Sequence, residues 1–220
     1  MTCRGGGEHG LIRGCFLGLA LLAVIVIGGG YLGFRALATP DLGPPPDGAD
    51  DGSSQQEIAA TLAARIAAGL LVSPHTIAVV SERDLTVIAR TRNPEPSRYQ
   101  DPDARVRDGQ LLLSAVDNVG PVHLTTVAHV KVQLQNAASN ASRLVGNVTG
   151  VDVGTLPIPS WAREMYDRRT TSAFNLEPVL NGIPLLEKLR SSLECAAVAG
   201  DGLHLGFHRP GTDPQFDACG

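Results

Sequence analysis

The sequence predicts an α+β protein: an N-terminal transmembrane helix, then helices packed on a long, curved antiparallel sheet. Three observations predict it. An uninterrupted apolar run occupies Gly14 to Phe34, between Arg13 and Arg35. Two helix-capping patterns, Ser54-Gln55-Gln56-Glu57 and Ser81-Glu82-Arg83-Asp84, each precede a helix-spaced apolar stripe. A period-two alternation then runs from Val122 to Gln135, departing from apolar–polar order at Thr126 and Val127, about 45 Å of strand at roughly 3.3 Å per residue.

Residues 14–37 are read as the membrane span. The apolar run matches the length a helix needs to cross a bilayer core of about 30 Å. In lipid the backbone must satisfy its own hydrogen bonds, which demands a helix. Arg4 and Arg13 precede the run, and Asp41, Asp47, Asp50 and Asp51 follow Arg35. The positive-inside bias therefore predicts a cytoplasmic tail over residues 1–13 and an extracytoplasmic bulk. Ala36-Leu37-Ala38 also matches a signal-peptidase site, with cleavage before Thr39. Signal-peptide apolar cores run to about 7–15 residues, and this run is longer, so a single-pass signal anchor in the cell membrane is the expectation.

Residues 38–54 (ATPDLGPPPDGADDGSS) offer almost nothing to bury and predict a disordered Pro/Gly/Asp linker. The folded domain is expected over residues 55–210, with a C-terminal tail at 211–220. Its first helix carries Ile58, Leu62, Ile66 and Leu70 at four-residue steps and ends at Ser73-Pro74. His75 to Val80 reads as a strand. The second helix runs to about Arg92, with Leu85, Ile88 and Ala89 as its buried face. Ala104–Arg107 and Gln110–Val116 flank Asp108-Gly109, a strong hairpin signal.

Leu144 to Val153 is the expected returning partner of the long strand, with Gly146 and Gly150 permitting bends. Ser160 caps a short predicted helix, Trp161–Arg168. Leu176, Val179 and Leu180 are helix-spaced within Phe174–Ile183, and Leu185–Leu193 reads as strand or short helix. A last hairpin joins Cys195–Val198 to Leu203–Phe207 about Gly200-Asp201-Gly202. Trp161 either closes the end of the core, the preferred reading, or anchors at the lipid interface.

Composition excludes several functions. Net charge is −4 and four of the acids lie in the linker, so the domain is near neutral, with no basic stripe for nucleic acid. Aromatics are 4% of residues, too few for stacking on bases. No G-x-S-x-G elbow, Gly-rich phosphate loop or H-E-x-x-H occurs, and nothing implies a cofactor. His123 and His129 share a strand face but lie about 20 Å apart, and one metal with bonds of about 2 Å cannot take both. His204 and His208 would need a tight turn to co-ligate. No metal is therefore expected. Cys195 and Cys219 fall in the exported part, where a disulfide is permitted.

Four segments in order resemble membrane-anchored bacterial members of the tubular lipid-binding (TULIP-type) superfamily, including envelope proteins linked to mannolipid maturation. They are Ser81-Glu82-Arg83-Asp84-Leu85, Val106-Arg107-Asp108-Gly109-Gln110, the corner Val151–Pro159 (VDVGTLPIP), and Val198-Ala199-Gly200-Asp201-Gly202-Leu203. The resemblance covers about residues 55–210 and brings no shared catalytic residues. It implies a long curved sheet wrapped on a helix, with an apolar groove for acyl chains. The small side chains Ala59, Ala63, Ala67 and Ala128 either leave room for such a chain or simply allow close helix–sheet packing.

The expected function is a non-enzymatic, membrane-anchored extracytoplasmic protein of the cell envelope that binds a lipid or other apolar ligand. Its lining would be Ile58, Leu62, Ile66, Leu70, Val130, Val132 and Leu134. The alternative is a non-catalytic interaction subunit with a protein partner in a secretion, division or wall-synthesis complex.

Overall fold

The computed structural model describes residues 8–91, 93, 95–135, 143–159, 189–215, 217 and 219; the side chains of residues 8–20, 119, 143 and 190 lie outside that description. The expected helices over 161–168 and 174–183, the role of Trp161 and residues 185–188 of the expected segment 185–193 fall outside the described residues.

The domain is α+β with a long antiparallel sheet. Helix α1 (Glu8–Leu37) comes first. Helix α2 (Gln55–Val72) starts at the capping box: the Ser54 amide donates to Glu57 Oε2 (2.8 Å) and the Glu57 amide to Ser54 Oγ (3.2 Å). Two of the free amides at the helix start are thus satisfied. Its other end is closed from afar, because Arg209 donates Nε to the Leu70 carbonyl at 2.8 Å. Strand β1 (His75–Ser81) leads directly into α3 (Glu82–Thr91), whose first turn is capped by Ser81 Oγ accepting from the Asp84 amide at 3.2 Å.

Strands β2 (Tyr99–Arg107), β3 (Gln110–Val119), β4 (Val122–Gln135), β5 (Arg143–Val153) and β6 (Leu156–Pro157) form one sheet in sequential order. A 3₁₀ turn (Arg190–Ser192) precedes β7 (Leu193–Ala199) and β8 (Gly202–His208), and these two make a second sheet with β1 in the order β1-β8-β7. The single sheet anticipated from the sequence is therefore two among the described residues. The first strand and the closing hairpin, far apart in the chain, pair with one another, His75 opposite His208.

Each irregularity has a visible cause. In β2 the register slips between Gln100 and Asp103, where Asp101 has φ 46° and Pro102 has no amide to give. In β5 the extra residue is Thr149, between Gly150 opposite His129 and Val148 opposite Val130. In β7 it is Glu194.

One core joins both sheets and the two domain helices. Ile66 (1% exposed), Leu111, Val130 and Leu205 (each 0%) are members of it. The long strands are covered on both faces, since Arg105 (2%) and Val127 (2%), which point away from that core, are buried too. On α3 the buried set is Leu85, Thr86, Val87 and Ile88. Ala89, expected on the buried face, is half-exposed.

Residues 38–54, expected as a disordered tether, instead lie along the domain. Three arginines hold them. Arg83 donates to the Gly48 carbonyl (3.0 Å), Asp51 Oδ2 (2.6 Å) and Ser53 Oγ (2.6 Å). Arg90 donates to the Ala49 carbonyl (3.2 Å) and pairs with Asp50. Arg107 donates to the Leu42 carbonyl at 3.0 Å. Ala49, 8% exposed, is part of the buried set.

Candidate functional site

The seven residues predicted to line a groove share a single cluster. Leu62, Ile66, Val130 and Val132 are buried in it, and Ile58, Leu70 and Leu134 pack against it half-buried. They are brought together, as a period-four helix stripe facing a period-two strand must be. What they meet, however, is the domain's own apolar side chains: Val80, Leu205 and Phe207 belong to the same cluster. Ala59 and Ala63 are 6% and 3% exposed and serve close packing of the helix, whereas Ala67, expected beside them, is exposed.

Beside that cluster a cleft of about 300 Å³ opens between α2, β1 and the start of α3. Ile58, Leu62, Val79 and Val80 supply its apolar wall. Ser53, Glu57, Thr61, Arg65, Ser81, Arg83 and Asp84 supply its polar one. Most of this polar wall is already committed. Glu57 is bound in the capping box, Ser81 caps α3, and Arg83 holds the linker. Hydrogen bonds from Ser53, and then from Arg83, hold the Asp51 carboxyl below its ordinary value of 3.8. Arg65 projects, exposed, at the rim.

A second constellation joins α1 to the sheet. The Arg35 guanidinium donates Nε to Thr155 Oγ1 (2.9 Å) and an Nη to the Thr155 carbonyl. In return the Thr155 amide donates to the Arg35 carbonyl (2.8 Å), as does the Thr155 hydroxyl (3.0 Å). Gly154, φ 59°, sits under the end of the helix; a Cβ there would collide with the carbonyl oxygens of Arg35, Ala36 and Ala38. No helix is long and apolar enough to cross a membrane within the residues described in full. For α1 that stretch begins at Leu21 and omits residues 14–20 of the apolar run. Within it, Leu22, Ile25, Ile27 and Phe34 are 61–71% exposed.

The third cluster surrounds Glu194. The bulge in β7 turns this carboxylate inward, to 1% exposure. It accepts from His75 Nδ1 (3.0 Å) and from the Gln215 amide (2.8 Å). The adjacent Cys195 is disulfide-bonded to Cys219, with Cα atoms 5.7 Å apart. The C-terminal tail is thus held twice.

The other histidines have local partners: His129 Nε2 lies 2.8 Å from Asp152 Oδ2, His204 Nε2 lies 2.5 Å from Asp201 Oδ1, and His123 contacts Asn118. Among the described residues no group of three His, Cys, Asp or Glu side chains converges as a metal site. Asp103 is committed to Arg105 (2.6 Å) and the Thr86 hydroxyl (2.9 Å).

The Arg35–Thr155 joint and the arginine-held linker escape sequence reading. The one signal for the latter is complementary charge, Asp50 and Asp51 against Arg83 and Arg90. No family model, no curated protein and no solved structure matches this chain, so the resemblance to tubular lipid-binding proteins rests on its four segments alone.

Proposed function

We propose that this chain is a single-pass, membrane-anchored docking module of the cell envelope, non-catalytic, with its folded domain outside the membrane. The apolar run Gly14 to Phe34 between two arginines supports the anchor. The Cys195–Cys219 disulfide supports an oxidising, extracytoplasmic setting. The observation that carries the reading is the joint between Arg35 and Thr155, together with the linker held by Arg83, Arg90 and Arg107. A carrier that shuttles lipid needs reach, and here the linker's length is taken up against the domain. A module that presents a fixed surface to a partner complex needs the reverse. The predicted lining, spent on the domain's own core, supports the same choice.

The second reading is an apolar-ligand binder of the tubular lipid-binding kind, and the α2–β1 cleft favours it. An apolar wall from Ile58 and Leu62 beside the Arg65 guanidinium would suit one end of an anionic amphiphile. Its volume is at the lower limit of small-molecule pockets, about 300–1,000 Å³.

A photo-crosslinking residue placed at Lys131 or Gln133, exposed on β4, and separately at Ile58, in the full chain in its own membrane, tests both. The docking reading expects a protein adduct of discrete mass from the strand positions and none with lipid from position 58. A lipid adduct at 58 without a protein adduct on the strand would replace it with the second reading.

A further inference from the structure

We infer that the β5–β6 corner, Gly154 to Pro159, is a bilayer-contacting surface that sets which end of the domain faces the lipid; the inference rests on the anchor reading above. Arg35 is the first charge after the apolar run, so its guanidinium must reach the interfacial layer, about 5–8 Å thick on each side of the hydrocarbon core. It also donates to the Tyr31 hydroxyl at 3.3 Å, which places a Tyr and an Arg together where interfacial anchors belong. Thr155 is bonded to Arg35 through both side chain and backbone, and therefore shares its depth. Leu156 to Pro159 follow within four residues, at most about 13 Å of extended chain.

The corner is chemically fitted to a layer that borders the water-free hydrocarbon. An unpaired backbone amide grows costlier as the chain nears that hydrocarbon. The amide of Gly154 donates to the Thr125 carbonyl (2.7 Å), that of Thr155 to Arg35 (2.8 Å), and that of Ile158 to Val151 (2.8 Å). Pro157 and Pro159 have no amide and are exposed. No residue from Gly154 to Pro159 is charged. Register places the β3–β4 turn at the same end of the sheet, because Thr126 faces Val153 and β4 continues back from there to Val122, itself 39% exposed. The opposite end carries the β2–β3 turn and, close to it, the β7–β8 turn: a Cβ on Gly109 would touch the Val198 carbonyl at 3.8 Å. That end would point away from the lipid.

The full chain carrying Cys3→Ser and Cys15→Ser, with the 195–219 disulfide kept, would receive a single NBD dye on Pro157→Cys, Val122→Cys or Gly200→Cys. Each would be reconstituted in phosphatidylethanolamine–phosphatidylglycerol vesicles containing a lipid with a nitroxide at its headgroup. The expected result is several-fold stronger quenching at 157 and 122 than at 200. Gly154→Val should abolish that difference while the chain still floats with the vesicles. Thr155→Val, which removes only side-chain contacts, should reduce it, with the disulfide checked in both variants as a sign of correct folding. Equal quenching at both ends in a chain that floats overturns the inference and leaves the anchor standing. A difference unchanged in both joint variants overturns it equally. A chain that fails to float overturns the anchor reading itself.

Discussion

At Gly206 there is no room for a side chain, because the disulfide occupies its place: a Cβ would run into Cys195 Sγ and stand 2.9 Å from Cys219 Sγ. Gly206→Ala should therefore oppose closure of the bridge. Loss of a disulfide spanning 24 residues costs about 2–4 kcal/mol; urea unfolding with titration of free thiols would check it. Asp51 carries a second residue-scale prediction. Its carboxyl is held below 3.8 by Ser53 and Arg83, so the ionised form is favoured in the fold. Its contribution is complete above that value and is lost as pH falls through the lowered one. Hydrogen exchange of residues 47–54 should be insensitive to this group between pH 5 and 8, and should rise only in strong acid. The two cysteines are legible in the sequence as a possible bridge, whereas the crowding at Gly206 is not, and the hold on Asp51 is signalled only by complementary charge. The Glu194 carboxylate is buried only because a bulge reverses its direction, and no local pattern announces that bulge.

Elements with a strong period were legible. The alternation from Val122 to Gln135 is strand β4 to the residue, and the capping box opens α2 as written. The sequence predicts only Ala104–Arg107 of strand β2, which begins at Tyr99. Asp101-Pro102 resembles a loop, whereas a bulge with positive φ at Asp101 lets the strand pass through it. On α3 the stripe missed Thr86, buried because its hydroxyl accepts from the Ala104 amide at 3.0 Å, a tertiary contact with no periodic signature. The packing of α2 gives the prediction at this scale. Ile66 is 1% exposed within the shared core, so Ile66→Ala should destabilise the domain by about 2–5 kcal/mol in urea titration. Were Ile66 the wall of an empty groove, far less apolar contact would be lost and the change would fall well below that range.

The whole molecule is organised by contacts across long sequence distances. Arg83, Arg90 and Arg107 hold the linker, and the combined variant with alanine at all three should release it. Protease cleavage between residues 39 and 54 is then expected to accelerate several-fold while the disulfide and the domain's secondary structure persist. Each surface pair alone is worth about 0–1 kcal/mol, so single variants should show a fraction of the effect. The sequence by itself determined the α+β class, the long strand, the capped helices and the apolar N-terminal run, because each is written in neighbouring residues at a period of 2 or 3.6 or as an unbroken stretch. Only the tertiary structure decided that the domain divides into two sheets, that the linker is clasped, and that Arg35 meets Thr155. Those contacts join residues dozens of positions apart, and polar partners chosen by geometry rather than by periodicity leave no mark on the local order of the chain.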